Sequence, residues 1–152
     1  MSKQTKTRGK TNFSLGVFIQ DSSSSTGAGL SGVTATSSGL VMEYRRQGQT
    51  SWTVLTLGTG IVAGKTLGIY LSGGIVADGA LAGAYEVDFP NAAFASEAGV
   101  EWVLCRIRGV ANMLPVLIEV QLDAVDYQDS DGFGLSNLTQ IRNSTAVIPA
   151  LL

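Results

Sequence analysis

Apolar and polar residues alternate with a period of two in several short stretches of the chain, the spacing that puts alternate side chains on one face of a sheet. Leu40, Met42 and Tyr44 alternate with Val41, Glu43 and Arg45. Tyr85, Val87 and Phe89 alternate with Ala84, Glu86 and Asp88, and Val116, Ile118, Val120 and Leu122 alternate with Leu117, Glu119, Gln121 and Asp123. These read as half-buried antiparallel strands. Phe13 to Ile19, Thr53 to Leu57, Leu67 to Leu71 and Val100 to Ile107 follow the same pattern less cleanly, and Gly- or Ser-rich punctuation separates nearly all of them. Several short strands with frequent turns predict an all-β fold, a sandwich or a barrel.

Three segments break the alternation. Pro90-Asn91-Ala92-Ala93-Phe94-Ala95 directly follows a strand, and its proline, its alanines and Gly99 predict one helical turn that closes at the glycine, with Phe94 plugged into the core. Asp21 to Gly29 has Ala28 as its one apolar residue and is a loop. Beyond Asp123 the pattern fades, yet Val147-Ile148-Pro149-Ala150-Leu151-Leu152 is apolar enough to pack on this subunit or on a neighbour.

Composition narrows the chemistry. The 152 residues contain no histidine and one cysteine, Cys105. Ser-His-Asp, Cys-His and His-metal sites are therefore excluded together with any disulfide framework or Cys-rich zinc cluster. Cys105, on an expected strand, reads as a small core residue rather than a nucleophile. No apolar run is long enough for a membrane span, and the polar start of the chain does not read as a secretory signal. The charge is uneven. Lys3, Lys6, Arg8 and Lys10 all fall in the first ten residues, where no acid stands, on a chain whose net charge is -2. A basic arm on an acidic body suits docking onto an acidic protein surface or a polyanion rather than a nucleic-acid-binding fold.

The motifs that look chemical fail on context. Gly58-Thr59-Gly60-Ile61-Val62-Ala63-Gly64-Lys65-Thr66 ends like a phosphate-binding loop, but Thr59 stands where its first glycine is required and a strand pattern follows where a helix is needed. Gly27-Ala28-Gly29-Leu30-Ser31-Gly32 has dinucleotide-loop glycines without the helix or the ribose-binding acid, and reads as a turn. Asp126, Asp129 and Asp131 with Gly132 do not align as an EF-hand; an acidic turn is the reading, with a looser calcium site left open. Glu86 with Asp88, and Glu119 with Asp123, lie opposite the expected core faces and read as solvated charge ladders rather than a catalytic carboxylate pair. Arg45, Arg46, Lys65, Arg106 and Arg108 are too sparse for a nucleic-acid groove. Trp52 and Trp102 suit core or subunit-interface anchors equally.

Several short pieces occur in order: Gly29-Leu30-Ser31-Gly32-Val33-Thr34, Ser37-Ser38-Gly39-Leu40, Tyr44-Arg45-Arg46, Gly83-Ala84-Tyr85-Glu86-Val87-Asp88-Phe89-Pro90 and Leu117-Ile118-Glu119-Val120-Gln121-Leu122. Together, over about Phe13 to Leu135, they resemble the β-sandwich modules of tailed-bacteriophage virion proteins, of the kind at the N-terminus of baseplate upper proteins and tail-fibre attachment proteins. The resemblance implies a non-enzymatic module that joins one part of a virion to another.

The expectation is thus an antiparallel β-sandwich, Ig-like or jelly-roll-like, with one short helical turn and extended arms at both ends. Residues 1-12 form the basic N-terminal arm, 13-125 the sandwich and 126-152 a C-terminal extension. The expected role is attachment of tail-fibre or baseplate components through symmetric contacts, as a homo-oligomer among other virion proteins, assembled in the host cytoplasm. Capsid decoration and a carbohydrate-binding sandwich using Trp52 and Tyr70 are the alternatives. No catalytic residue, cofactor, metal, nucleic acid or membrane is expected. The interface residues are Lys3, Lys6, Arg8, Lys10, Trp52, Val147, Ile148, Leu151 and Leu152.

Overall fold

A computed structural model describes residues 2–124. Nine strands follow one another: β1 (Ser2–Thr7), β2 (Leu15–Phe18), β3 (Val41–Arg46), β4 (Thr53–Leu57), β5 (Gly60–Ile61), β6 (Ile75–Ala77), β7 (Ala84–Val87), β8 (Trp102–Arg108) and β9 (Val116–Asp123), with a 3-10 helix at Asn91–Phe94 between β7 and β8. They form a six-stranded sheet in the order β1-β9-β8-β3-β4-β5 and a three-stranded sheet in the order β2-β7-β6. The described chain is mostly β, in two sheets that are not closed on themselves.

Period-two patterning builds the core. Leu40, Met42 and Tyr44 are buried, as are Val103, Cys105 and Ile107 of β8 and Ile118, Val120 and Leu122 of β9. The smaller sheet adds Leu15, Val17, Ile75, Tyr85 and Val87 to the same hydrophobic cluster. Tyr85 also secures the crossing from β2 to β3: its hydroxyl donates to the Leu30 carbonyl at 2.8 Å and accepts from the Val33 N–H at 3.1 Å. Phe94 is buried, its ring centroid 4.4 Å from that of Phe13, as the plug expected from the helical turn. That turn ends sooner than expected. Pro90 is its N-cap, and Ala95 is already extended at φ -57° and ψ 144°, four residues before Gly99.

Three expectations are corrected. The sheets are not wholly antiparallel: β1 runs parallel to β9, with Ser2 opposite Ile118 and Thr7 opposite Asp123, and β4 runs parallel to β5. Thr56 and Thr59 exchange both backbone hydrogen bonds, at 3.0 and 2.8 Å, and close a tight turn between the two strands. The basic arm is not separate from the body over Ser2–Thr7, because those residues are the edge strand of the six-stranded sheet. Leu67 to Leu71 is not a strand. It forms turns, with the Ile69 N–H donating to the Thr66 carbonyl at 3.1 Å, and leaves Leu67 and Ile69 exposed. The expected extension at 126-152, with Val147, Ile148, Leu151, Leu152 and the Asp126 to Asp131 turn, lies outside the described residues.

Candidate functional site

Two charge clusters stand out, and the sequence assigned neither its place. The first holds the loop that begins at Lys65 onto β7. The Lys65 ammonium is fully buried and donates to Asp88 Oδ2 at 2.5 Å and to the Ile69 carbonyl at 3.0 Å, with Glu86 Oε1 2.7 Å away. The loop's backbone reinforces the pairing: the Leu71 N–H donates to Asp88 Oδ2 at 2.6 Å and the Gly68 N–H to Glu86 Oε1 at 3.0 Å. Asp88 Oδ1 is buried with no hydrogen-bond partner.

The face of Glu86 and Asp88 is therefore not the solvated ladder expected. The Lys65–Leu71 loop covers it, and the Asp88 side chain is completely buried. Burial alone would lower the Lys65 pKa, but hydrogen bonds to Asp88 and Glu86 outweigh it and the net shift is upward. Burial likewise pushes Glu86 up, yet Lys65 and the Gly68 N–H bring it below the ordinary carboxylate range. The Gly-Lys-Thr sequence that resembled a phosphate loop is a structural clasp whose cation is fully occupied inside the protein.

The second cluster lies on the outer face of the six-stranded sheet, the pleat opposite the core. Glu43 is 2% exposed and its Oε1 accepts from Arg106 Nε and Arg108 Nε, each at 2.6 Å. Burial raises the Glu43 pKa, but the two arginines more than reverse it and hold the carboxyl below its ordinary value. Arg106 then extends over the Trp52 ring, 4.4 Å from its centroid, and Arg45 lies 5.5 Å from the same centroid. Cross-strand register gathers these residues, because Glu43 pairs with both Arg106 on β8 and Val54 on β4. Half-buried Val41, Trp102, Leu104 and Leu117 share the face, and Val54 is exposed on it.

The remaining candidates are dispersed. Lys3 pairs with Glu119 at 3.1 Å, and the Lys6 ammonium lies 4.9 Å over the Phe13 ring. The Arg8 N–H donates to the Asp123 carbonyl at 2.7 Å, and the Lys10 N–H to the Thr7 carbonyl at 3.1 Å, closing the turn after β1. Lys3 and Lys6 thus stand on the edge strand and Arg8 directly after it, with the Lys3 side chain 62% exposed. Trp52 sits on the six-stranded sheet, while Tyr70 is on the clasp loop, its hydroxyl donating to the Phe89 carbonyl at 2.9 Å. The two aromatic residues considered for sugar binding are therefore on different elements. Cys105 is buried, and burial pushes its thiol far above the ordinary range, as suits a core residue.

Among the described residues, no group of three His, Cys, Asp or Glu side chains is placed to hold a metal ion, and no helix is long and apolar enough to cross a membrane. Concave surface includes an open groove between β2 and the start of β9, lined by Phe18, Leu81, Tyr85, Leu114 and Val116. The signal that could have revealed the first cluster was a lone lysine between glycines upstream of two alternating acids. For the second, it was Arg106 and Arg108 at strand spacing opposite a single Glu43. No family model, curated protein or solved structure matches the chain.

Proposed function

We propose that this chain is a non-enzymatic docking module of a tailed-bacteriophage virion, a β-sandwich whose six-stranded sheet turns its outer face toward a neighbouring protein. The observation that carries the docking role is the Trp52–Arg45–Arg106 stack. It lies beside half-buried Val41, Leu104 and Leu117 and exposed Val54 on the sheet face opposite the core. Tryptophan and arginine are enriched at interface hot spots, and a guanidinium already fixed by a carboxylate loses little freedom when a partner arrives. The buried carboxylates of Asp88 and Glu43 are each held by cations of the protein itself, which leaves neither presented to an external substrate and supports association over enzymatic turnover. The virion assignment draws on the ordered sequence pieces between Gly29 and Leu122, and within it attachment to tail or baseplate leads over capsid decoration.

Repeated copies on a symmetric particle would let such a face act through avidity even where each contact is weak. The test is to locate the chain in purified particles by mass spectrometry and electron microscopy, comparing wild type with Trp52→Ala and Arg106→Ala. Incorporation that falls at least tenfold in both variants, with the isolated variants still folded, is the expected result. A chain never found in particles overturns the virion reading, and undiminished incorporation of both variants overturns the assigned face.

A further inference from the structure

The clasp at Lys65 holds an amine and a carboxyl group in contact inside the protein, and its surroundings favour more than an ion pair. We propose that Lys65 and Asp88 become joined by an intramolecular amide bond between Nζ and Cγ, with Glu86 carrying the protons.

The geometry supplies the parts. Both reacting side chains are completely buried, with Nζ 2.5 Å from Oδ2, so the encounter is already made and competing water is excluded. The Leu71 N–H, 2.6 Å from Oδ2, steadies the negative charge that gathers on that oxygen as Nζ adds to Cγ. Glu86 Oε1 is 2.7 Å from Nζ, two residues before Asp88 in the chain, placing a proton acceptor beside the nucleophile. Oδ1, which has no partner, is the oxygen that leaves.

The balance is a condensation. The ammonium and the carboxylate give a secondary amide and one water; the C–N bond forms and the Cγ–Oδ1 bond breaks. Two protons pass from Nζ to the departing Oδ1, carried in turn by the Glu86 carboxylate, which ends unchanged. No oxidant, reductant or activating group is needed. Two buried charges and an unsatisfied carboxylate oxygen are replaced by a neutral amide whose carbonyl keeps the Leu71 hydrogen bond, which relieves the desolvation penalty of the pair. The charged pair is the resting arrangement, and the reactive neutral amine is its minor form. A bond that has to form only once per molecule tolerates that small population.

Intact-mass spectrometry of the purified full-length chain, denatured after folding, is the test. Wild type is expected to be one water lighter than its sequence requires, and Lys65→Arg and Glu86→Gln to have their full masses. Trypsin should fail to cut after Lys65 in wild type, giving residues 47–106 as one species that carries the deficit. Cyclisation at Asp78-Gly79 or Asp131-Gly132 would also release a water. A deficit that maps there, or persists in Lys65→Arg, overturns the proposal. So does a wild-type mass at the sequence value after days at neutral pH, whatever the variants do. The reaction does not depend on what the module attaches to.

Discussion

Glu43 and Arg106 stand directly opposite each other in the β3–β8 ladder, joined at 2.6 Å, and Arg108 reaches the same carboxylate oxygen from two residues along. One carboxylate therefore fixes both guanidinium groups on the outer face, and the face depends on its ionisation.

Glu43 and Glu86 both have pKa values lowered in the folded state. Each contributes stability that is complete above the unfolded-state value, about 4.3 for a glutamate, and that is lost as pH falls through the lower folded value. Urea unfolding from pH 7 to pH 3 should show stability nearly constant at first and then falling below about pH 4.3. Glu43→Gln should cost about 1.5–3 kcal/mol at pH 7 and flatten the acid limb, because the charge-assisted hydrogen bonds are already gone.

Lys65→Met removes the cation and leaves the Asp88 carboxylate buried without it. Against wild type in its ion-paired form, before the amide has formed, the expected cost is about 3–5 kcal/mol by chemical denaturation, the range for breaking a buried pair from one side. Lys65→Met combined with Asp88→Leu should recover part of that loss, since the stranded charge is removed with its partner. A double variant less stable than Lys65→Met would contradict this account.

Gly39 has φ +80°, and a Cβ there would lie 2.5 Å from the Gly109 carbonyl oxygen. Gly32 has φ +79° with open space around it. Both substitutions to alanine strain the backbone, but only Gly39→Ala also forces two backbones apart. Thermal denaturation should rank Gly39→Ala below Gly32→Ala, with the Gly32 variant losing about 1–2 kcal/mol. Equal losses would show that the close approach at Gly109 carries no weight.

Deleting Ser2–Thr7 exposes β9 as an edge. Gln4 and Lys6 sit opposite Val120 and Leu122, inward-facing polar residues of the sort that discourage further strand pairing. Light scattering should therefore show more self-association in the deleted chain. Less self-association would restore the first residues as a tether between subunits.

The alternating strands were legible because one face of each is apolar and the other polar, as at Leu40 to Arg45 and Val116 to Asp123. Phe94 was legible because a large aromatic among alanines after a proline has few other uses. The Lys65 clasp was not, because its burial depends on a loop returning to acids more than 20 residues away, and Asp88 follows the same alternation as a solvated residue would. Leu67 to Leu71 imitates a strand in composition, but Lys65 takes the Ile69 carbonyl and Asp88 takes the Leu71 N–H. β1 gave no sign, since an edge strand with polar residues on both faces lacks the apolar stripe that marks the others.

The parallel pairing of Ser2–Thr7 with Ile118–Asp123 sets an order of events during synthesis. Ser2–Thr7 are made well before their template and find their place only once it exists, because β9 follows more than a hundred residues later. A nascent chain interrupted before β9 keeps an unfinished sheet with β1 unattached. Closing that seam marks the moment at which the whole described unit has been made.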